Sequence, residues 1–160
     1  MTDNDDLQTI DAIIKKTRFA TVTTRTRAGD LVSRPLAVLE KDFDGTVWFF
    51  TADPSPKSDD VQHDEHVNVS YVDGASVVSL AGTATIERDR ARIDEWWNPW
   101  VEAWFPDGKD DPSVALLKVE ATSAEYWHVD KPGVIRAVES IKALITKTTP
   151  DVGDNRTVEL

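Results

Sequence analysis

The sequence predicts a mainly β fold, a small antiparallel β-barrel with flanking α-helices. Three observations carry that reading. Six or seven short runs rich in Val, Ile, Thr, Phe and Trp are spread along the chain, bounded mostly by Gly, Asp or Pro. Several gaps between runs are hairpin-sized, as at Ala28-Gly29-Asp30, Asp42 to Gly45 and Asp73-Gly74. Helical signals lie at the ends and in a few interruptions, so strands and helices do not alternate as in a doubly wound sheet.

Residues 4–18 open the chain as a helix. Leu7, Ile10, Ile13 and Ile14 fall on one face, with Asp5 and Asp6 early and Lys15, Lys16 and Arg18 late, as the helix dipole prefers. Strands follow at Phe19 to Arg25 and Leu31 to Glu40, the second carrying Ser33-Arg34-Pro35. The stretch Val47 to Ser58 organises the rest. Val47-Trp48-Phe49-Phe50 is a strand, and Ser55-Pro56 is the pair expected at N-cap and N1 of a helix running to about His63. Strands at Val67 to Val72 and Ser76 to Arg88 come next. Gly82, inside the second, predicts a bulge, a bend or a close approach to a backbone or ligand.

Asp89 is placed to cap a helix to about Trp97, which Pro99 breaks and Pro106 stops. After a charged loop at Gly108 to Pro112, two strands, Val114 to Ala121 and Ala124 to Val129, lead to a terminal helix at Val134 to Ile145. Residues 149–160 lack periodicity and read as a tail on one domain spanning 1–148.

Composition excludes several chemistries. The 160 residues contain no cysteine, which removes disulfides, thiol nucleophiles and Cys metal sites. A net charge of −11 disfavours nucleic acid, whose phosphates demand basic patches. The acidic N-terminus has no secretory pattern and no run reaches membrane-spanning length, so no membrane partner and a cytoplasmic location are expected. His63 and His66 stand i, i+3 among carboxylates without a third ligand fixed by spacing, so no metal is expected. No nucleophile elbow, P-loop or glycine-rich dinucleotide loop is present, and no side chain is assigned as catalytic.

One set of residues points to an anion. A helix opening at Ser55-Pro56 presents free N–H groups and a partial positive charge, and Lys57 adds a full charge where the dipole opposes it. An anion between them, most simply phosphate, would resolve that conflict. If strands two and three pair as a hairpin around Asp42 to Gly45, Lys41 faces about Thr46 and Arg34 falls near Asp53. Arg34, Thr51, Ser55 and Lys57 then meet on one rim, two cations and two hydroxyls suited to phosphate.

The same residues resemble a known family. Ser33-Arg34-Pro35-Leu36, Trp48-Phe49-Phe50-Thr51, Ser55-Pro56-Lys57 and the strand at Val67 to Val72 are similar to the FMN-binding split barrel of pyridoxamine 5′-phosphate oxidase and its relatives. The tryptophan-rich run from Trp96 to Pro112, with Ala115 to Val119 and Ala124 to Trp127, resembles the general stress protein 26 branch. The resemblance implies an antiparallel, Greek-key-like split barrel and a homodimer with two FMN sites at its interface, FAD being the second candidate cofactor. By position, Arg34 and Lys57 would hold the phosphate with Ser55 beside them, and Pro35, Leu36, Phe50 and Thr51 would line the flavin. Trp127, in Glu125-Tyr126-Trp127, would reach the flavin of the other subunit. Trp100 and Trp104 either roof the pocket or form the apolar face of a short helix.

The oxidase follows its E-F-W triplet shortly with Arg and then Leu-His-Asp-Arg, which contact its substrate. Here His128-Val129-Asp130-Lys131 follows, and that substrate motif is absent. The resemblance therefore implies a flavin-dependent oxidoreductase, with a non-catalytic flavin carrier as the alternative and pyridoxamine-phosphate oxidation third.

Overall fold

Most strands of this chain find their partners in sequence neighbours, as hairpin signals require. In the computed structural model, residues 4–129 and 154–160 are described; the helix expected at Val134 to Ile145 lies outside them. The elements in order are α1 (Asn4–Lys16), β1 (Phe19–Arg25), β2 (Leu31–Ala37), β3 (Thr46–Ala52), α2 (Pro56–His63), β4 (His66–Asp73), β5 (Ser76–Glu87), α3 (Arg90–Trp96), α4 (Pro99–Glu102), β6 (Val114–His128) and β7 (Asp154–Glu159). No helix among the described residues is long and apolar enough to cross a membrane.

The strands form one antiparallel sheet in the order β2-β1-β4-β5-β6-β3, with β7 also paired to β6. β1 and β2 form a hairpin at Gly29, whose φ of 92° suits a residue without Cβ. β2 and β3 end the order on opposite sides, and the sheet curls until they approach each other without forming a ladder. The result is a barrel with one open seam.

That seam corrects the expected pairing of β2 with β3. The link between them does not reverse as a hairpin, because Phe43 is buried in the core and its backbone N–H donates to Asp11 Oδ1 of α1 at 2.8 Å. Lys15 also ties Asp42 to α1. Drawn across the helix, the link delivers β3 to the far edge, where Thr46 to Ala52 pair with Val114 to Glu120 of β6.

The two strands expected after residue 113 are one, β6, continuous from Val114 to His128. The register against β5 shifts between Ala81 and Gly82, leaving Thr122 without a Cα partner. Gly82 is required there, since a Cβ would sit 2.3 Å from the Glu120 carbonyl oxygen. The terminal segment is likewise not a loose tail. Asp154–Glu159 pairs with Ser123 to His128, continuing the edge that β3 leaves at the bulge, and Val158 is buried.

The main core lies inside the curl. Ile10, Ile13 and Ile14 of α1 plug it against Val22, Phe49, Val69, Tyr71, Leu80 and Leu117. A smaller cluster covers the other face of β3 and β6. There α3 places Ile93 against Val114 and Leu116, with Trp48, Phe50, Trp96, Trp97 and Phe105 packed around them. Trp48 meets Trp96 edge-on at 5.4 Å, and Phe50 meets Trp97 at 5.7 Å.

Candidate functional site

Where the seam narrows, β2, the end of β3, the first turn of α2 and the α4 loop enclose a cavity of about 320 Å³. Its size suits a small organic ligand. Apolar walls come from Leu36, Phe50, Trp100 and Trp104 among others, and the cations Arg34 and Lys57 also line it. Such a lining suits a flat apolar body with an anionic tail.

The charged part is built by α2. Ser55 is its N-cap, accepting from the Ser58 N–H at 3.2 Å, and Ser58 Oγ accepts from the Ser55 N–H at 2.8 Å. This reciprocal box fixes the helix start directly before Lys57. The Lys57 ammonium makes no ion pair among the described residues, and its pKa is held below the usual lysine value by burial first and by the charge of Arg34 second.

Arg34 approaches from β2. Its Nη1 donates to Thr24 Oγ1 at 2.7 Å and its Nη2 to Asp60 Oδ2 at 3.4 Å, while the Thr24 hydroxyl donates to the same carboxylate at 2.8 Å. These bonds occupy two of five guanidinium N–H donors and aim the group while leaving others available. Two cations gathered at one cavity, one of them discharged more easily for it, form a cradle that an anion would relieve.

Eight of the ten residues singled out from sequence line this cavity: Arg34, Pro35, Leu36, Phe50, Thr51, Lys57, Trp100 and Trp104. Arg34 and Lys57 therefore meet, although through the curl of the sheet and not through a hairpin. Ser55 is not on the cavity wall; its hydroxyl is used as the helix cap. Trp127 stands apart on the far half of β6, 38% exposed. Trp100 and Trp104 are exposed and line the cavity, while the buried residue of α4 is Val101.

Sequence reasoning missed Thr24 and Asp60. Thr24 had a readable signal: Ala20, Val22 and Thr24 alternate toward the inside of β1, and a hydroxyl in that series needs a buried partner. Asp60 carried none, because its burial follows from where α2 lands on the sheet.

The family described as pyridoxamine 5′-phosphate oxidase like matches residues 5–151. The chain belongs to that family. Within it, the chain falls on the general stress protein 26 branch, and its curled, unclosed sheet is the split barrel of that family. Protein bli-3 of Neurospora crassa is 30% identical over 149 residues, 86% of this chain and 71% of that one. General stress protein 26 of Bacillus subtilis is 30% identical over 80 residues, 47% of this chain and 56% of the relative. Among solved structures, the general stress FMN/FAD binding protein of Xanthomonas citri is 27% identical with a TM-score of 0.68, over 81% of this chain and 93% of that one.

Proposed function

We propose that the cavity binds a flavin nucleotide, FMN with FAD as the second candidate, and that the protein is a flavin-dependent oxidoreductase. The observation that carries this reading is the Arg34 and Lys57 pair in a cavity otherwise walled by Leu36, Phe50 and Trp100. Arg34 and Lys57 would take the phosphate, assisted by the N–H groups of the α2 first turn. Pro35, Leu36, Phe50, Thr51 and Trp100 would hold the ring and exclude water from one side. Ser55 supports the phosphate end by fixing the helix start. The relative from Xanthomonas citri is described as binding FMN/FAD, which supports the same chemistry here.

A bound flavin supplies the redox chemistry, and the chain supplies binding and orientation. We further propose a homodimer in which Trp127, exposed on β6 and outside its own cavity, serves the site of a second copy. A cysteine-free chain suits the reducing cytoplasm, where we place it. A non-catalytic carrier is the alternative; it predicts bound flavin without turnover by a nicotinamide donor above that of free FMN.

The test is titration of the wild type, Arg34→Ala and Lys57→Ala with FMN and with riboflavin, read by fluorescence quenching. Each variant should weaken FMN by about 10- to 100-fold, since a charge-assisted bond contributes about 1.5–3 kcal/mol, and should leave riboflavin little changed. Equal losses for both ligands would remove the phosphate assignment. A wild type that quenches neither would sink the flavin reading.

A further inference from the structure

Trp100 is a wall shared by two spaces. Beside the cavity lies a larger groove of about 610 Å³, and the two have Val38, Leu39, Asn98 and Trp100 in common. The groove has indoles from Trp96, Trp97 and Trp100, and cations from Lys15, Lys16, Arg18 and Lys41 against the carboxylates of Glu40 and Glu95. A lining with two more cations than anions is unusual on a chain of net charge −11.

Lys15 is committed to α1 and the link, 2.8 Å from Asp11 and also bonded to Asp42. Lys16, Arg18 and Lys41 have no carboxylate partner among the described residues. Arg18 lies over the Trp100 ring at 5.6 Å, and Lys41 over the Trp96 ring at 4.9 Å. Elsewhere the chain pairs its arginines readily, Arg27 with Asp59, Arg88 with Asp53 and Arg34 with Asp60. Two cations held over indoles and a third lining the same groove, none paired to a carboxylate among the described residues, form a surface for an anion that carries its own aromatic ring.

We infer that this groove is a subsite for a second ligand, a pyridine dinucleotide, with its pyrophosphate at Lys16, Arg18 and Lys41 and an aromatic ring against the indoles. Its volume, its mixed aromatic and cationic lining and its continuity with the cavity match that class. The inference rests on the flavin reading in one respect, the direction of the cavity. Val38 continues β2 by donating its N–H to the Arg18 carbonyl, and it lies four residues beyond Arg34, roughly 13 Å of extended chain. With the flavin phosphate at Arg34 and Lys57, the groove sits at the ring end. The adenylate of FAD, joined through the phosphate, would leave by the other end and does not account for these cations.

The test uses NAD⁺ and NADP⁺, which bind without reducing the flavin, and isothermal titration calorimetry. The protein is the FMN-loaded wild type and the double variant Lys16→Glu/Lys41→Glu, both sites exposed so that the core is untouched. The wild type should bind at least one dinucleotide, more weakly as salt rises, and the double variant should bind it about tenfold or more weakly. FMN affinity should be the same in both, which also certifies that the variant is folded. Equal dinucleotide affinity in the two proteins, or no binding to the wild type, overturns the subsite. Failure of the wild type to bind FMN would instead fall on the flavin reading, and the same dinucleotide titration of the flavin-free proteins would still decide the groove.

Discussion

Arg34 Nη2 stands 3.4 Å from Asp60 Oδ2, and this ion pair joins an edge strand to the helix that carries Lys57 in its first turn. The pair is largely out of water, with Arg34 22% and Asp60 9% exposed at the side chain, and Thr24 shares the carboxylate. Removing one partner of such a pair leaves the other charge buried. Asp60→Ala should therefore lower unfolding free energy by about 1–3 kcal/mol, read as a drop in urea midpoint. An unchanged midpoint would mean that β2 and α2 are joined by other means.

Lys57 sets a pH dependence for the proposed phosphate contact. Its pKa in the free protein lies below 10.5, and only its charged form attracts an anion. FMN affinity should hold at neutral pH and fall on the alkaline side at a lower pH than an ordinary lysine would give. Riboflavin shares the alkaline titration of the ring but has no phosphate, so the ratio of FMN to riboflavin affinity should fall over the same range. Parallel profiles for the two ligands in a fluorescence titration from neutral to alkaline pH would count against Lys57 as the contact.

Gly82→Ala tests the bulge. The added Cβ meets backbone, the Glu120 carbonyl oxygen at 2.3 Å, and backbone in the middle of a sheet has little room to yield. A loss of about 1–3 kcal/mol is expected by thermal or urea denaturation, as for other overpacked interiors. A Tm equal to that of the wild type would show that the two strands can move apart there.

Tyr126 fastens the first helix to the last long strand. Its hydroxyl donates to Asp6 Oδ1 at 2.7 Å, and Arg156 of β7 reaches the same oxygen at 3.3 Å. Burial first, and the Asp6 bond second, push the Tyr126 pKa up to about 12. Tyr126→Phe should destabilise by about 1–3 kcal/mol, because Asp6 is buried and, among the described residues, keeps the exposed Arg156 alone. A differential scanning calorimetry trace that superimposes on the wild type would refute the assignment.

Much of this architecture was legible because it is local. The apolar face of α1, the Gly29 hairpin and the Ser55-Pro56 helix start each depend on residues within a turn of one another, while Gly82 marked its position in β5 although the backbone it makes room for, at Glu120, lies on β6. What was not legible is long-range. Nothing in the order Glu40 to Gly45 says that Phe43 will be drawn into the core beneath α1, and that single burial decides that β3 joins β6. The meeting of Arg34 with Lys57 was anticipated from a hairpin that does not form, and the curl of the sheet supplies it instead. β7 escaped notice because Asp154 to Glu159 is polar at all but one position, as befits a strand covering an edge.

The spare residue at Thr122 acts as a parity switch. Before it, Leu117 and Val119 turn toward the interior; after it, Ala124 and Tyr126 do, so odd positions give way to even ones. Holding one amino acid out of the ladder thus decides which of two adjacent aromatics is swallowed and which is displayed. Excising it would leave a regular ladder with the phenol still inside, whereas keeping it and flattening the bulge would turn Trp127 inward and push the phenol out, exchanging anchor for antenna in a single stroke.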